Sequence, residues 1–293
     1  MNNNRLIAGI FFLASALMAC SKDEGQTPSP TPVPVPTGNI TAPPANFTKK
    51  VLLEYHTAAW CGTCVDAEVK RDLVMNTYPG KVIPVAIHQS DGMQIPLFMT
   101  IDATFGSNPA FGMVNRLPSL NTVLLNRTQW LSNASNSISA TAKCGLAIKS
   151  TLAGSSATVE VQASFRENLT GTYNLTVYLV ESNITGTGSS FDQANSYNTD
   201  ASSPYYNLGN PIVGYEHKYV AKKVLTANLG DAIDPSKLVT DGLLKKTFTT
   251  DITGMNSSNL YIVAFINKTG TSSTTHEVIN VQQAKIGTLK NWD

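Results

Sequence analysis

An α/β domain over residues 47–143, followed by an all-β sandwich over residues 144–293, is the fold class this sequence predicts. Three observations support it. Apolar strand patterns alternate with helical ones between Lys50 and Lys143. Beyond Cys144 a period-two pattern takes over, broken by turn clusters such as Ala153-Gly154-Ser155-Ser156. The hydrophobic fraction, 42%, is enough for real cores, and the length beyond residue 46 suits two domains of ordinary size.

The chain opens on a leader. Arg5 precedes an apolar run, residues 6–19, that is too short for a comfortable membrane span and has the length of a signal-peptide core. It ends in Leu17-Met18-Ala19-Cys20, which resembles a bacterial lipobox. The resemblance implies that residues 1–19 are a lipoprotein signal peptide and that Cys20 carries the lipid. The plain alternative is cleavage after Ala14-Ser15-Ala16. No other apolar run is long enough to span, so the lipid on Cys20 would be the anchor. Ser21-Lys22-Asp23-Glu24 resembles the export signal of surface lipoproteins in Bacteroidota, which implies the outer membrane; otherwise it is a solvated charge cluster. The proline-rich stretch up to residue 46 favours extended polyproline II and forbids a packed core, so residues 20–46 read as a tether.

Composition excludes some functions. Net charge is +1 with no basic block, which argues against nucleic acid and against a purely electrostatic membrane partner. No Ser-His-Asp order, phosphate loop or supported carboxylate pair is present, and no cofactor is expected.

In the first domain, Val51, Leu52 and Leu53 begin a buried strand that ends near Thr57. A helix follows, with Val65, Val69, Leu73 and Met75 as the expected apolar stripe and Tyr78-Pro79-Gly80 as its stop. Residues 81–88 form a second strand, and residues 89–106 a loop with a short helix. Residues 121–126 read as a further strand. The segment from Thr128 to Lys143 reads as a closing helix with Trp130, Leu131, Ala134 and Ile138 on one face. The order is β-α-β-α-β-β-α.

Cys61 and Cys64 fall at the first strand-to-helix junction, behind Trp60. A helix N-terminus stabilises a thiolate, and a two-residue spacer allows a small disulfide ring with one sulfur open to attack. Three readings stand: a redox-active pair, a structural disulfide, and a metal site. The second would close a very short loop and is an inefficient staple. The third lacks further ligands, because no second Cys pair or paired His motif is present.

Strand, Trp60-Cys61-Gly62-Thr63-Cys64, helix, strand and then a proline before a strand resemble a thioredoxin fold. Pro109 lies 48 residues after Cys61, a separation similar to that of the cis-proline loop in that family. The resemblance implies a cis Asn108–Pro109 bond, with Leu117–Pro118 as the alternative, and a loop that docks substrate together with Trp60. It also implies that Cys61 attacks and Cys64 resolves. Lipobox, tether, the Leu52–Cys64 segment, Val85-Ala86-Ile87-His88, Asn108–Arg116 and a β-rich tail together resemble the twenty-eight-kilodalton outer-membrane lipoprotein family of Bacteroidota.

Two departures stand out. Tyr55 occupies the position of the buried acid of thioredoxins, and Glu54 beside it should face the other side of the strand. Thr63 stands where the reducing signature has proline. Glu54 and His88 are therefore candidate modulators of the cysteine pKa, with a hydrogen-bonded loop residue as the plain reading of His88, and of His56 too. Cys144 reads as a small buried hydrophobe at a strand start.

In the second domain, segments around Thr158–Phe165, Tyr173–Ser182, Asn259–Lys268 and His276–Ile286 alternate or run apolar, as in an immunoglobulin- or fibronectin-like sandwich. A long insertion, residues 183–216, contains Tyr197, Tyr205, Tyr206 and Tyr215. These form either a contact surface for protein or glycan or a loop packing its own tyrosines. Two functions follow. The chain exchanges disulfides with an extracytoplasmic protein or peptide, or it is a surface binding lipoprotein in which the α/β fold is only a scaffold.

Overall fold

The computed structural model describes residues 38–293; the expected signal peptide, Cys20 and most of the expected tether lie outside the described residues. β1 (Val51–Thr57), α1 (Cys64–Thr77) and β2 (Val82–His88) form a parallel β-α-β unit whose register runs from Val51–Val82 to Thr57–His88. Both strands are buried along their whole length, which is why their sequence is apolar without alternation. α2 (Leu97–Phe105) leads to β3 (Phe111–Val114), which pairs antiparallel with the free edge of β1. β4 (Leu125–Asn126) extends that edge, and α3 (Trp130–Ile138) packs back on α1.

The second half is almost entirely strands: β5 (Cys144–Ala153), β6 (Ser156–Phe165), β7 (Tyr173–Glu181), β8 (Val220–Val224), β9 (Asp231–Ala232), β10 (Leu243–Asp251), β11 (Leu260–Lys268), β12 (Val278–Lys285) and β13 (Leu289–Lys290). They do not form a separate body. β8 pairs antiparallel with β7 and bridges in parallel to β2 at Ala86–Val220. One sheet of order β12-β11-β7-β8-β2-β1-β3-β4 therefore crosses both halves, with β9 paired to β7. A second sheet has the order β10-β6-β5-β13. The protein is β-rich, with one mixed α/β region.

The cores follow from period two. On β7, Leu175, Val177 and Leu179 join a core shared with the second sheet, while Tyr178 and Val180 join the core of α2. β11 divides in the same way, with Ile262, Ala264 and Ile266 on one side and Val263 and Phe265 on the other. On β1, Val51, Leu53 and Tyr55 pack with α1, α3 and both cysteines of the junction, whereas Leu52 packs with α2. Both faces are occupied along the shared sheet, so β11 has no polar face to show in sequence.

Three expectations need correction. The buried stripe of α1 is Cys64, Val65, Ala67, Glu68, Arg71 and Val74, and Leu73 is exposed. The stripe was misread because two of its members are charged, and the apolar positions alone point to the wrong face. The Asn108–Pro109 and Leu117–Pro118 bonds are not cis; among the described residues the cis bond is Asn210–Pro211. Pro109 is instead the second residue of a turn closed by Phe111 N–H donating to Asn108 O at 3.0 Å, with Ala110 at φ 65°. Proline in that position presets the turn with a trans bond. The end of the proline-rich segment is also docked: Thr41 O accepts from the Trp292 indole, and the Arg166 guanidinium donates to Pro44 O.

Candidate functional site

Cys61 and Cys64 are joined by a disulfide. β1 ends at Thr57, the chain turns through Ala58–Thr63, and α1 starts at Cys64, so Cys61 sits in the turn just before the helix. Cys61 N–H donates to Ala58 O at 3.0 Å and Cys64 N–H to Cys61 O at 3.1 Å, which fixes the turn. Trp60 is 49% exposed and donates through Nε1 to Gln89 O.

The disulfide is covered. Cys61 is 5% exposed and Cys64 1%. The cover is the insertion between β7 and β8. Ala194 N–H donates to Ala59 O at 2.7 Å and Ser196 N–H to Gly62 O at 2.9 Å. The buried Gln193 amide donates to Ala58 O and, at 2.9 Å, to Cys61 O. Glycine at 62 eases this approach, because a Cβ there would lie 2.2 Å from Ser196 Oγ, which would have to turn aside. The sequence predicts an open sulfur and does not link the insertion to the cysteines; every acceptor in the turn is a main-chain carbonyl and half of the bonds come from main-chain N–H groups, which side-chain patterns do not report.

The insertion is built as a closed loop. Ile184 and His217 pair at its neck, and Gln193 pairs with Ile212. The buried Asn195 amide donates to Tyr205 O and Gly209 O. Tyr205 and Tyr215 meet through their hydroxyls at 3.2 Å, Tyr215 stacks edge-on to His217, and Tyr197 accepts from Arg127. Three of the four tyrosines thus pack the loop itself or hold it to the body; Tyr206 is half exposed.

Of the predicted modulators, only His88 belongs to the site. Its Nδ1 lies 2.7 Å from Asp91 Oδ2, and the same carboxylate accepts from Ala59 N–H and Met93 N–H. Burial alone would raise the Asp91 carboxyl, but His88 and the two N–H groups outweigh it and hold it below the usual range. His217 stands edge-on to His88 with ring centroids 5.3 Å apart. Burial lowers the His217 pKa to about 4.

Glu54 lies on the opposite face of β1. Arg116 grips it with two bonds of 2.6 and 2.7 Å, both side chains are fully buried, and the guanidinium lies over the Phe105 and Phe265 rings. His56 shares that face, with neither ring nitrogen partnered and a pKa lowered to about 4 by burial. Tyr55 faces the disulfide side, where Arg71 donates to its hydroxyl at 2.8 Å. Burial raises the Tyr55 hydroxyl far above its ordinary range, so it is no proton acceptor. Arg71 is also paired with Glu68, one turn inside α1 from Cys64. Ala110, next to Pro109, packs in the same core as Tyr55 and both cysteines, and its N–H donates to His56 O. Cys144 is a buried free thiol, pushed up to about 12 by desolvation.

No curated protein sequence matches the chain. Among solved structures, HBP35 of Porphyromonas gingivalis is 19% identical, covering 82% of this chain and 76% of that one, with a TM-score of 0.63. This is a likeness of fold. A structural-genomics protein of Agrobacterium tumefaciens is 10% identical over 82% of this chain and 95% of its own, at a TM-score of 0.48. A domain of the outer membrane lipoprotein Omp28 from Porphyromonas gingivalis is 18% identical over 52% of this chain and all of its own, at a TM-score of 0.31. The family model described as outer membrane protein Omp28 matches residues 99–290, which takes in most of α2, the insertion and every later strand but begins after the cysteine pair. No helix among the described residues is long and apolar enough to cross a membrane. The match spans well over half of the chain, which therefore belongs to the Omp28 family of outer membrane proteins.

Proposed function

We propose that this outer-membrane protein is anchored by a lipid on Cys20 and exchanges disulfides with an extracytoplasmic protein or peptide through Cys61 and Cys64. In this reading residues 47–143 are a thioredoxin-like unit and residues 144–293 an immunoglobulin- or fibronectin-like sandwich, fused through the β2–β8 bridge. The observation that carries it is the position of the disulfide. It closes the turn between a parallel strand and its crossover helix, with the Pro109 loop packed beside it through Ala110. Cys61, outside the helix, is the attacking sulfur, and Cys64, the first residue of α1, resolves the mixed disulfide. His88, oriented by Asp91, lies behind the turn as a proton relay.

The reduction potential tests this, measured by thiol trapping in glutathione and dithiothreitol buffers. A value near or above about −270 mV with fast exchange is expected, and a pair that resists reduction well below about −300 mV would overturn the proposal. Retained exchange in Cys61→Ser would overturn the assignment of roles. A second reading, a surface binding protein on a redox-silent scaffold, draws support from two observations: Tyr55 at the position of the missing acid, and the covered sulfurs.

A further inference from the structure

The covering segment does more than exclude water. Ala194 and Ser196, two residues apart, both turn their N–H groups toward the cysteine turn, and Asn195 N–H between them turns away, to Asn210 Oδ1 at 2.9 Å. The alternation of N–H groups is that of an added strand, here reaching two carbonyls of a turn rather than a strand edge. The acceptors, Ala59 O and Gly62 O, flank Cys61, and Cys61 O itself takes the Gln193 amide. The missing side chain of Gly62 provides room for a backbone at close range. None of these groups selects a particular side chain.

We infer that the surface along Ala59–Gly62 is a groove for the main chain of an extended polypeptide, occupied in this state by the protein's own residues 193–196. The inference rests on the exchange function proposed above and names its substrate: an unfolded segment carrying two thiols, which displaces the strap. From the oxidised pair the exchange runs in reverse of the order in which Cys61 attacks and Cys64 resolves: a peptide thiolate attacks Cys61 Sγ, the Cys61–Cys64 bond breaks and Cys64 leaves as thiolate. The second peptide thiolate then attacks the peptide's own sulfur and expels Cys61 as thiolate. The peptide ends as a disulfide, oxidised by two electrons, and the cysteine pair ends reduced.

The test compares the full chain in detergent with a variant in which residues 185–216 are replaced by a short Gly-Ser linker. Ile184 and His217 are paired with each other, so the linker spans a closed neck. Reduction of Cys61–Cys64 is followed by alkylation and mass spectrometry, with dithiothreitol, with an extended dithiol peptide, and with that peptide N-methylated beside its first cysteine. Strap removal should speed reduction by both dithiothreitol and the parent peptide about tenfold or more, and Gln193→Ala, should the replacement fail to fold, several-fold. N-methylation should slow the peptide several-fold in the strapless chain. Unchanged rates without the strap, or an N-methylated peptide as fast as its parent, would overturn the inference. Failure of the exchange function reads out elsewhere, as a disulfide too stable for the glutathione pool in both proteins. The groove then remains testable by Trp60 fluorescence, as peptide binding to the strapless chain carrying Cys61→Ser and Cys64→Ser.

Discussion

Glu54 and Tyr55 are neighbours on β1, yet they face two different kinds of interior. On the Glu54 side, a buried carboxylate and guanidinium are joined by two short bonds between aromatic rings, with Arg116 Nη1 left without a hydrogen-bond partner. On the Tyr55 side, Arg71 is shared among a phenol and two acids, and the disulfide lies under a loop held by a few main-chain bonds. The first arrangement needs every member in place, because a lone buried charge is costly. The second tolerates rearrangement, because the loop's bonds can be exchanged for water or for another chain. Under the exchange proposal, the difference puts rigidity on one face of the strand and the reacting sulfurs on the other.

The comparison breaks first at Glu54. Glu54→Ala leaves Arg116 buried without its partner and should cost about 3–5 kcal/mol in denaturant unfolding. The reactivity of the disulfide in whatever remains folded should not change; a large change would mean that the two faces are coupled.

Acid sharpens it next. Each face holds one buried histidine with a pKa lowered to about 4, His56 on the Glu54 side and His217 in the loop neck. A depressed histidine pKa means that the unfolded chain takes up the proton first. The stabilisation is therefore present above about pH 6.5 and is lost as pH falls from there toward 4. Urea titrations across that window should show falling stability, with a shallower slope in His56→Phe and in His217→Gln. Only His217→Gln should also alter the rate at which an acid-tolerant phosphine reduces the disulfide. An equal effect from His56→Phe would dissolve the distinction.

Tyr55→Phe removes the hydroxyl that accepts from Arg71 and should cost about 1–3 kcal/mol by thermal or chemical denaturation. If proton transfer to Cys64 does not use the phenol, the pH profile of exchange stays in place. The smallest effect belongs to Gly62→Ala. Its Cβ displaces Ser196, whose Oγ can rotate away, so about 1 kcal/mol or less is expected. Faster reduction of the disulfide should accompany it, and pairing it with Ser196→Gly should restore part of the protection.

Much of the frame was legible in advance. The start of β5, the strands β6, β7, β11 and β12, and the β-α-β start were readable because buried strands are apolar runs and half-buried ones alternate; β8, β9, β10 and β13 were not, being short or, in β10, largely exposed and polar. The Omp28 relationship was readable from motif order, and the family match bears it out. The buried face of α1 was not, since Glu68 and Arg71 look like surface residues until Tyr55 and the loop are placed over them. Nor was the continuity of the large sheet. It rests on a single parallel bridge at Ala86–Val220, between strands more than a hundred residues apart.

What the sequence determined by itself is local: which segments are strands or helices, where the two cysteines fall between them, and that Glu54 and Tyr55 must point apart. Period two and the strand-to-helix switch are properties of the backbone and need no partner. The tertiary structure alone decided which charges are buried and paired, and what lies on the disulfide. The cover on the disulfide depends on main-chain N–H groups of Ala194 and Ser196 meeting carbonyls of Ala59 and Gly62, with the Gln193 amide between Ala58 O and Cys61 O. Every residue carries the same N–H and C=O, so a sequence cannot say which of them will meet.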